Sequence, residues 1–225
     1  MSQSSSVRAS AIIPAYNEAE RIADVLHVVR SHPLVDEVIV VSDGSTDGTA
    51  SIARRLGAVV IEFPKNRGKG DALGAGVAIA RNEILAFFDA DLQGLTHAMI
   101  DQMLLPVLHR EYDMFTLVRD RQAESFQLHI PKTFVVGGER VLRKSLWNAV
   151  PTIEKRRFCV ELALNYFAER KGLRMGRALA SGLKQFIKEK KRGLIPGLWL
   201  RMGMVFDCLL VLLRLRVLRL GGEGA

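Results

Sequence analysis

Two aspartates one residue apart, Asp89 and Asp91, close an apolar run in Phe-Phe-Asp-Ala-Asp-Leu-Gln-Gly at 87–94. Like charges this close raise each other's pKa unless a cation or hydrogen-bond donors offset them. If the segment stays extended, alternate side chains share a side, so Asp89, Asp91 and Gln93 offer two carboxylates and an amide oxygen together. Such a half-shell of hard oxygens suits Mg2+ or Mn2+, ions commonly held by one or two carboxylates plus the phosphates of a substrate. Alternatively, Asp89 caps the following turn and Asp91 is solvated, as acidic residues in turns often are. Taken alone, the pair favours that plainer explanation; three neighbouring motifs reverse the balance.

In Val-Val-Ser-Asp43-Gly-Ser-Thr-Asp47-Gly-Thr a second acidic turn follows another apolar run. Asp47 suits the N-cap of a helix, whereas Asp43 suits accepting a hydrogen bond from a base or a ribose. Ile-Ile-Pro14-Ala15-Tyr16-Asn17-Glu18 brings an aromatic face to a third such end, where a nucleobase can stack or a structural tyrosine can be buried. Lys65-Asn66-Arg67-Gly68-Lys69-Gly70 sets three cations on a glycine turn ahead of a helix, an arrangement suited to a diphosphate. It lacks GxxxxGK[ST], and Gly74-Ala-Gly76 lacks the third glycine of a dinucleotide fingerprint.

The elements that must hold these turns follow from hydrophobic patterning. Segments 10–14, 37–42, 58–63, 83–89 and 113–118 are nearly continuous in apolar character, which predicts strands buried on both faces, as in a parallel sheet. Segments 18–31, 47–57, 69–82 and 96–110 carry helical spacing between them, with Gly57 as a stop signal. The alternation predicts an α/β protein with a mostly parallel sheet flanked by helices. Ligands of such sheets sit beyond the carboxyl ends of the strands, where all the turns above fall. After residue 120 the expectation is a polar loop at 120–133, helices at 139–149 and 157–172, a basic stretch at 184–192 and an apolar C-terminal helix.

Charge divides the chain. Residues 1–150 hold 16 Lys+Arg against 18 Asp+Glu, and residues 151–225 hold 16 against 6, which together make the net charge of +8. Cys159 and Cys208 stand far apart in apolar surroundings, as reduced packing residues do, which suits the cytoplasm. The first ten residues lack the apolar core of a secretory signal and read as a short tail. Residues 198–220 are the membrane candidate, but Asp207, Arg214 and Arg216 interrupt them and leave no uncharged spanning run. Three expectations stay open for this helix: peripheral membrane contact at the inner face, packing against the domain, or binding a partner.

The ordered set PAYNE, SDGSTDGT, NRGKGDA and DADLQ resembles the nucleotide-diphosphate-sugar glycosyltransferases of sequence family 2, over about residues 9–120. The resemblance implies the GT-A fold, a Rossmann-like arrangement, over residues 9–180, with a nucleotide-sugar half at 9–120, an acceptor half at 121–180 and a basic and apolar appendage at 181–225. It implies that Pro14, Ala15, Tyr16 and Glu18 line the nucleotide pocket and that Asp43 contacts base or ribose. Lys69 would lie by the nucleotide, while Asp89 and Asp91 bind a metal diphosphate with Gln93 in the metal shell. DADLQ is similar to the polyprenyl-phosphate, dolichyl-phosphate mannose synthase-like branch, although the Gly-Leu-Thr that follows departs from that branch, and Ser42 stands where many members have aspartate. Arg119 matches a GSR-like turn, Gly138-Glu139-Arg140 an SGxR segment, and Glu161 the acid of an FxxE element facing the acceptor.

The implied reaction is inverting transfer of a hexose from a UDP- or GDP-sugar, the metal neutralising charge on the leaving diphosphate. A hydroxyl acceptor needs a general base, for which Glu161 is the candidate unless it only pairs with Arg157 one turn away. An anionic acceptor needs cations instead, and Arg119, Arg121, Lys132 and Arg140 are available. The basic C-terminal part favours a polyprenyl phosphate at an anionic membrane surface, with a phosphorylated small acid or a saccharide as the soluble alternative. A sugar-1-phosphate nucleotidyltransferase needs a glycine-rich loop where PAYNE stands, and a non-catalytic binding protein needs no intact Asp43, Asp89 and Asp91. No nucleic-acid-binding signature is present. His97, near the paired aspartates in sequence, reads as a helix-surface residue rather than an extra ligand.

Overall fold

The apolar runs become strands of one seven-stranded sheet in the computed structural model, which describes residues 8–119, 137–152 and 160–185. β1 (Ala9–Ala15), β2 (Val35–Asp43), β3 (Val59–Phe63) and β4 (Ile84–Phe87) run parallel in the order β3-β2-β1-β4. Their continuous hydrophobicity has the expected cause. Along β1, Ile13 faces one core and Ile12 the other, and Val40 and Val41 divide in the same way on β2. An isoleucine fully removed from water contributes about 1.5–3 kcal/mol.

One core is closed by α1 (Ile22–Ser31), α2 (Thr49–Arg55) and α4 (His97–Leu108), the other by α3 (Lys69–Ile79), α5 (Lys144–Ala149) and α6 (Val160–Arg170). α1 turns Ile22, Val25, Leu26 and Val29 inward, the spacing of one helical face. The Gly-Ala-Gly of α3 serves packing: a Cβ on Gly76 would collide with the side chain of Ile12, so glycine lets α3 lie close on β1.

The second half departs from expectation. Residues 140–143, assigned above to a helix, form β7 (Arg140–Arg143), antiparallel between β4 and β6 (Met114–Arg119), and only then does α5 begin. Pairing on both sides overrides local helical spacing, and Val141 and Leu142 fill opposite cores. β8 (Met175–Ala180), unforeseen, runs parallel to β6 and forms the sheet edge. β5 (Leu92–Gln93) and β9 (Lys184–Gln185) make a separate antiparallel ribbon. Because β7 runs backwards, Glu139 and Arg140 at its start lie at the same sheet edge as Asp89 after β4 and Arg119 ending β6. The apolar segment 198–220, Arg121, Lys132, Arg157 and both cysteines lie outside the described residues. No helix among the described residues is long and apolar enough to cross a membrane.

Candidate active site

The loops after β1 and β2 are sewn together by local polar bonds. Asn17, with φ of 54°, accepts the Thr46 N–H at 2.8 Å and donates its own N–H to Ser45 Oγ at 3.1 Å. Glu18 donates its backbone N–H to Thr49 Oγ1 at 2.9 Å. Its buried carboxylate meets Arg21 at 3.2 Å. Asp47 is not the N-cap itself, a position Gly48 takes. It acts from one residue earlier, accepting the N–H of Thr49 at 3.0 Å and that of Ala19 at 3.1 Å. Burial opposes its ionised form, but those donors win and its pKa falls. Ala15 is buried, and Pro14 and Tyr16 are half-buried at this edge.

Asp43 closes the glycine turn. Its two carboxylate oxygens accept the backbone N–H groups of Arg67 at 2.7 Å and Gly68 at 2.8 Å. The expected base- or ribose-contacting acid thus first of all fixes the loop that precedes α3.

Lys69, the first residue of α3, reaches over the strand ends. Its Nζ lies 2.7 Å from Asp89 Oδ1 and 2.8 Å from Glu161 Oε1, joining α3, the end of β4 and α6. Burial pulls the Lys69 pKa down, but the two carboxylates outweigh it and the net direction is up. Burial likewise works against the Asp89 carboxylate, and Lys69, Arg119 and Arg140 together hold its pKa below the ordinary value. Glu161 is 8% exposed, and Lys69 is its partner here.

The segment after Asp89 is not extended, because a turn falls at Ala90–Asp91. The turn still brings the carboxylates together: Gln185 Nε2 donates to Asp89 Oδ2 at 3.3 Å and to Asp91 Oδ1 at 3.1 Å. One oxygen of each aspartate therefore converges on a common point, with hard donors that fit Mg2+ or Mn2+. Gln93, the expected third ligand, is exposed on β5, and the amide nearest the carboxylates is that of Gln185. Among the described residues no cluster of three or more His, Cys, Asp and Glu is placed to hold a metal.

Arg119 Nη1 donates to Gln185 Oε1 at 2.7 Å, and its Nε lies 3.8 Å from Glu139. Glu139 is fully buried, and neither carboxylate oxygen has a hydrogen-bond partner among the described residues. Burial and the nearby Asp89 push its pKa up to about 7. Arg140 corrects the expectation of an acceptor-facing cation. It is 1% exposed, with Nη2 2.7 Å from Gly137 O and Nη1 3.2 Å from Asn165 Oδ1. The guanidinium props the strand-end loop against α6 instead of facing a ligand. His97 sits at α1, bonded to Ser31 Oγ at 2.9 Å and Val28 O at 3.1 Å, as a helix-surface residue would. Gln185 and Asn165 were not singled out from sequence; each is a lone amide without motif spacing.

The family model for glycosyl transferase family 2 matches residues 10–174. The chain belongs to this family. It is 36% identical over 107 residues to an uncharacterized protein of Methanocaldococcus jannaschii, covering 46% of this chain and 43% of that protein. It is 34% identical over 132 residues to the 4,4'-diaponeurosporenoate glycosyltransferase of Staphylococcus aureus, covering 56% of this chain and 33% of the relative. The chain therefore spans less than half the length of these curated relatives. Among solved structures, glucosyl-3-phosphoglycerate synthase from Mycobacterium tuberculosis with phosphoglyceric acid superposes with TM-score 0.71 at 24% identity, over 82% of this chain and 74% of that one. The same enzyme with Mn2+, uridine diphosphate and glucosyl-3-phosphoglycerate gives 0.76 at 22% identity, over 93% and 80%. The architecture of this family 2 chain is the GT-A fold.

Proposed function

We propose that the chain carries a metal-dependent, inverting hexosyl transfer from a UDP- or GDP-sugar to an acidic acceptor. The observation that carries this is the convergence of Asp89 and Asp91 on one point at the carboxyl ends of the strands, with Lys69 locking Asp89 to Glu161. The bound cation would supply neutralisation of the leaving diphosphate. Asp89 and Asp91 would hold it, Asp43 would keep the 66–68 loop in place beneath the nucleotide, and Pro14, Ala15, Tyr16 and Glu18 would form the neighbouring wall.

The placement of the charges supports an acidic acceptor. Glu161, the candidate base, is engaged by Lys69, and an acceptor that is already anionic requires no base. Arg119 is the acceptor-side cation at the strand ends, since Arg140 is consumed within the protein. Polyprenyl phosphate is the leading acceptor, supported by DADLQ and the basic C-terminal sequence. A phosphorylated small acid is the second, favoured by the likeness to a synthase crystallised with phosphoglyceric acid.

Nucleotide release is to be measured with Mn2+ or Mg2+, a panel of UDP- and GDP-sugars, and either a short polyprenyl phosphate or 3-phosphoglycerate. Release that needs metal, one sugar and the lipid is the expected result. Stimulation by phosphoglycerate alone moves the acceptor to the soluble class, and no metal-dependent release with any donor defeats the transferase assignment.

A further inference from the structure

Gln185 occupies an unusual place for a neutral side chain. It sits on the short ribbon β5–β9, both residues of β9 are exposed, and its amide points into the acidic pair rather than to solvent. The hydrogen bonds fix its orientation. Arg119 has only donors to offer, so the atom 2.7 Å from its Nη1 must be the amide oxygen, and the NH2 group then faces Asp89 and Asp91.

That polarity conflicts with a cation. The oxygens that Gln185 contacts are the two that converge, so a divalent ion held between them meets N–H dipoles of the wrong sign. Rotating the amide does not resolve the conflict, because the NH2 group would then face the guanidinium of Arg119, donor against donor. The side chain must leave, and the ribbon makes this easy. It has two residue pairs, Leu92 with Gln185 and Gln93 with Lys184, and both residues of β9 are exposed beyond the buried Leu183, which anchors the chain just before them.

We propose that Gln185 is a latch: without metal its amide covers the carboxylate oxygens of Asp89 and Asp91, and a divalent cation expels it, parts β9 from β5 and turns the Nη1 of Arg119 toward the anionic ligand. The latch rests on the metal-dependent reading above and adds to it a positioning residue whose departure couples cation binding to the arrival of a positive charge at the acceptor side.

The test uses the full chain and two readouts. Mn2+ binding, followed by the electron paramagnetic resonance of the free ion in the presence of UDP, is compared between the wild type and Gln185→Ala. Removing the competing amide is expected to tighten Mn2+ about ten-fold, the effect of losing a charge-assisted hydrogen bond that opposes binding. Hydrogen exchange in the wild type gives the second readout and needs no variant. Mn2+ with UDP is expected to speed exchange at 181–185 while slowing it at 66–69. A merely structural glutamine predicts the opposite sign at 181–185, because an occupied site tightens around its ligand. Equal or weaker Mn2+ binding by Gln185→Ala, or slowed exchange at 181–185, overturns the latch alone. No Mn2+ binding by either protein removes the metal reading and the latch with it.

Discussion

The two halves of the sheet handle charge in different ways. In the half built from β1, β2 and β3, Asp43 and Asp47 in the turn after β2 answer to backbone amides: Asp43 takes the N–H groups of Arg67 and Gly68, and Asp47 those of Thr49 and Ala19, while Glu18 pairs with Arg21. In the half built from β4, β7 and β6, the charged groups answer largely to one another. Lys69 joins Asp89 to Glu161, and Arg119 lies between Gln185 and Glu139. Backbone partners give a fixed frame that shapes loops, while side-chain partners give a set of charges that a ligand can redistribute. In the proposed function the chemistry would fall to the second half, and the first would hold the nucleotide end in place.

Arg140 is the sharpest way to break this division, since it is a fully buried cation of the second half that answers to the Gly137 carbonyl and the Asn165 amide instead of to an acid. Arg140→Ala leaves the Gly137 carbonyl and Asn165 unanswered and buried beside three acids, at a cost of about 3–5 kcal/mol in chemical denaturation. A loss below about 1 kcal/mol would mean the loop needs no such prop.

Glu139 tests the same region by pH. Its folded pKa of about 7 stands above the ordinary 4.5, so the folded state holds the proton more tightly than the unfolded one. The sign follows: wild-type stability falls as pH rises from about 4.5 to about 7. Glu139→Gln should remove that slope, worth on the order of 1–3 kcal/mol, and be the more stable protein at pH 8. Parallel curves for the two proteins across this window would contradict the placement of a buried acid with no hydrogen-bond partner among the described residues.

Asp43 sharpens the first half. Asp43→Asn keeps one acceptor and loses the charge, which should cost about 1–2 kcal/mol and loosen the 66–68 loop, seen as faster amide exchange there. Lost nucleotide affinity with unchanged exchange would instead assign Asp43 directly to the ligand.

The same division governs what the sequence reveals. β1 to β4 are legible because continuous Val, Ile and Phe leave no other way to bury both faces, and their turns carry acids at fixed spacing. β7 is hidden because Arg-Val-Leu-Arg places charges at both ends of a strand, and only its neighbours make Arg140 an interior group. β8 is an edge strand of small and exposed residues. The acidic pair is visible as a motif, but the turn that gathers it is not. Gln185, 94 residues after Asp91, reaches it through a ribbon of two residues per strand, a contact that no local pattern encodes.

In the proposed function Asp89 and Asp91 hold a divalent cation that in turn holds a nucleotide diphosphate. The direct measurement is calorimetric titration of UDP into wild type and Asp91→Asn, each with and without Mn2+. The expected result is binding by the wild type that depends on Mn2+ and falls on the order of 10²–10³-fold in Asp91→Asn, with thermal unfolding of the two proteins nearly unchanged. Equal UDP binding without metal, or metal-dependent binding undiminished in Asp91→Asn, would contradict it.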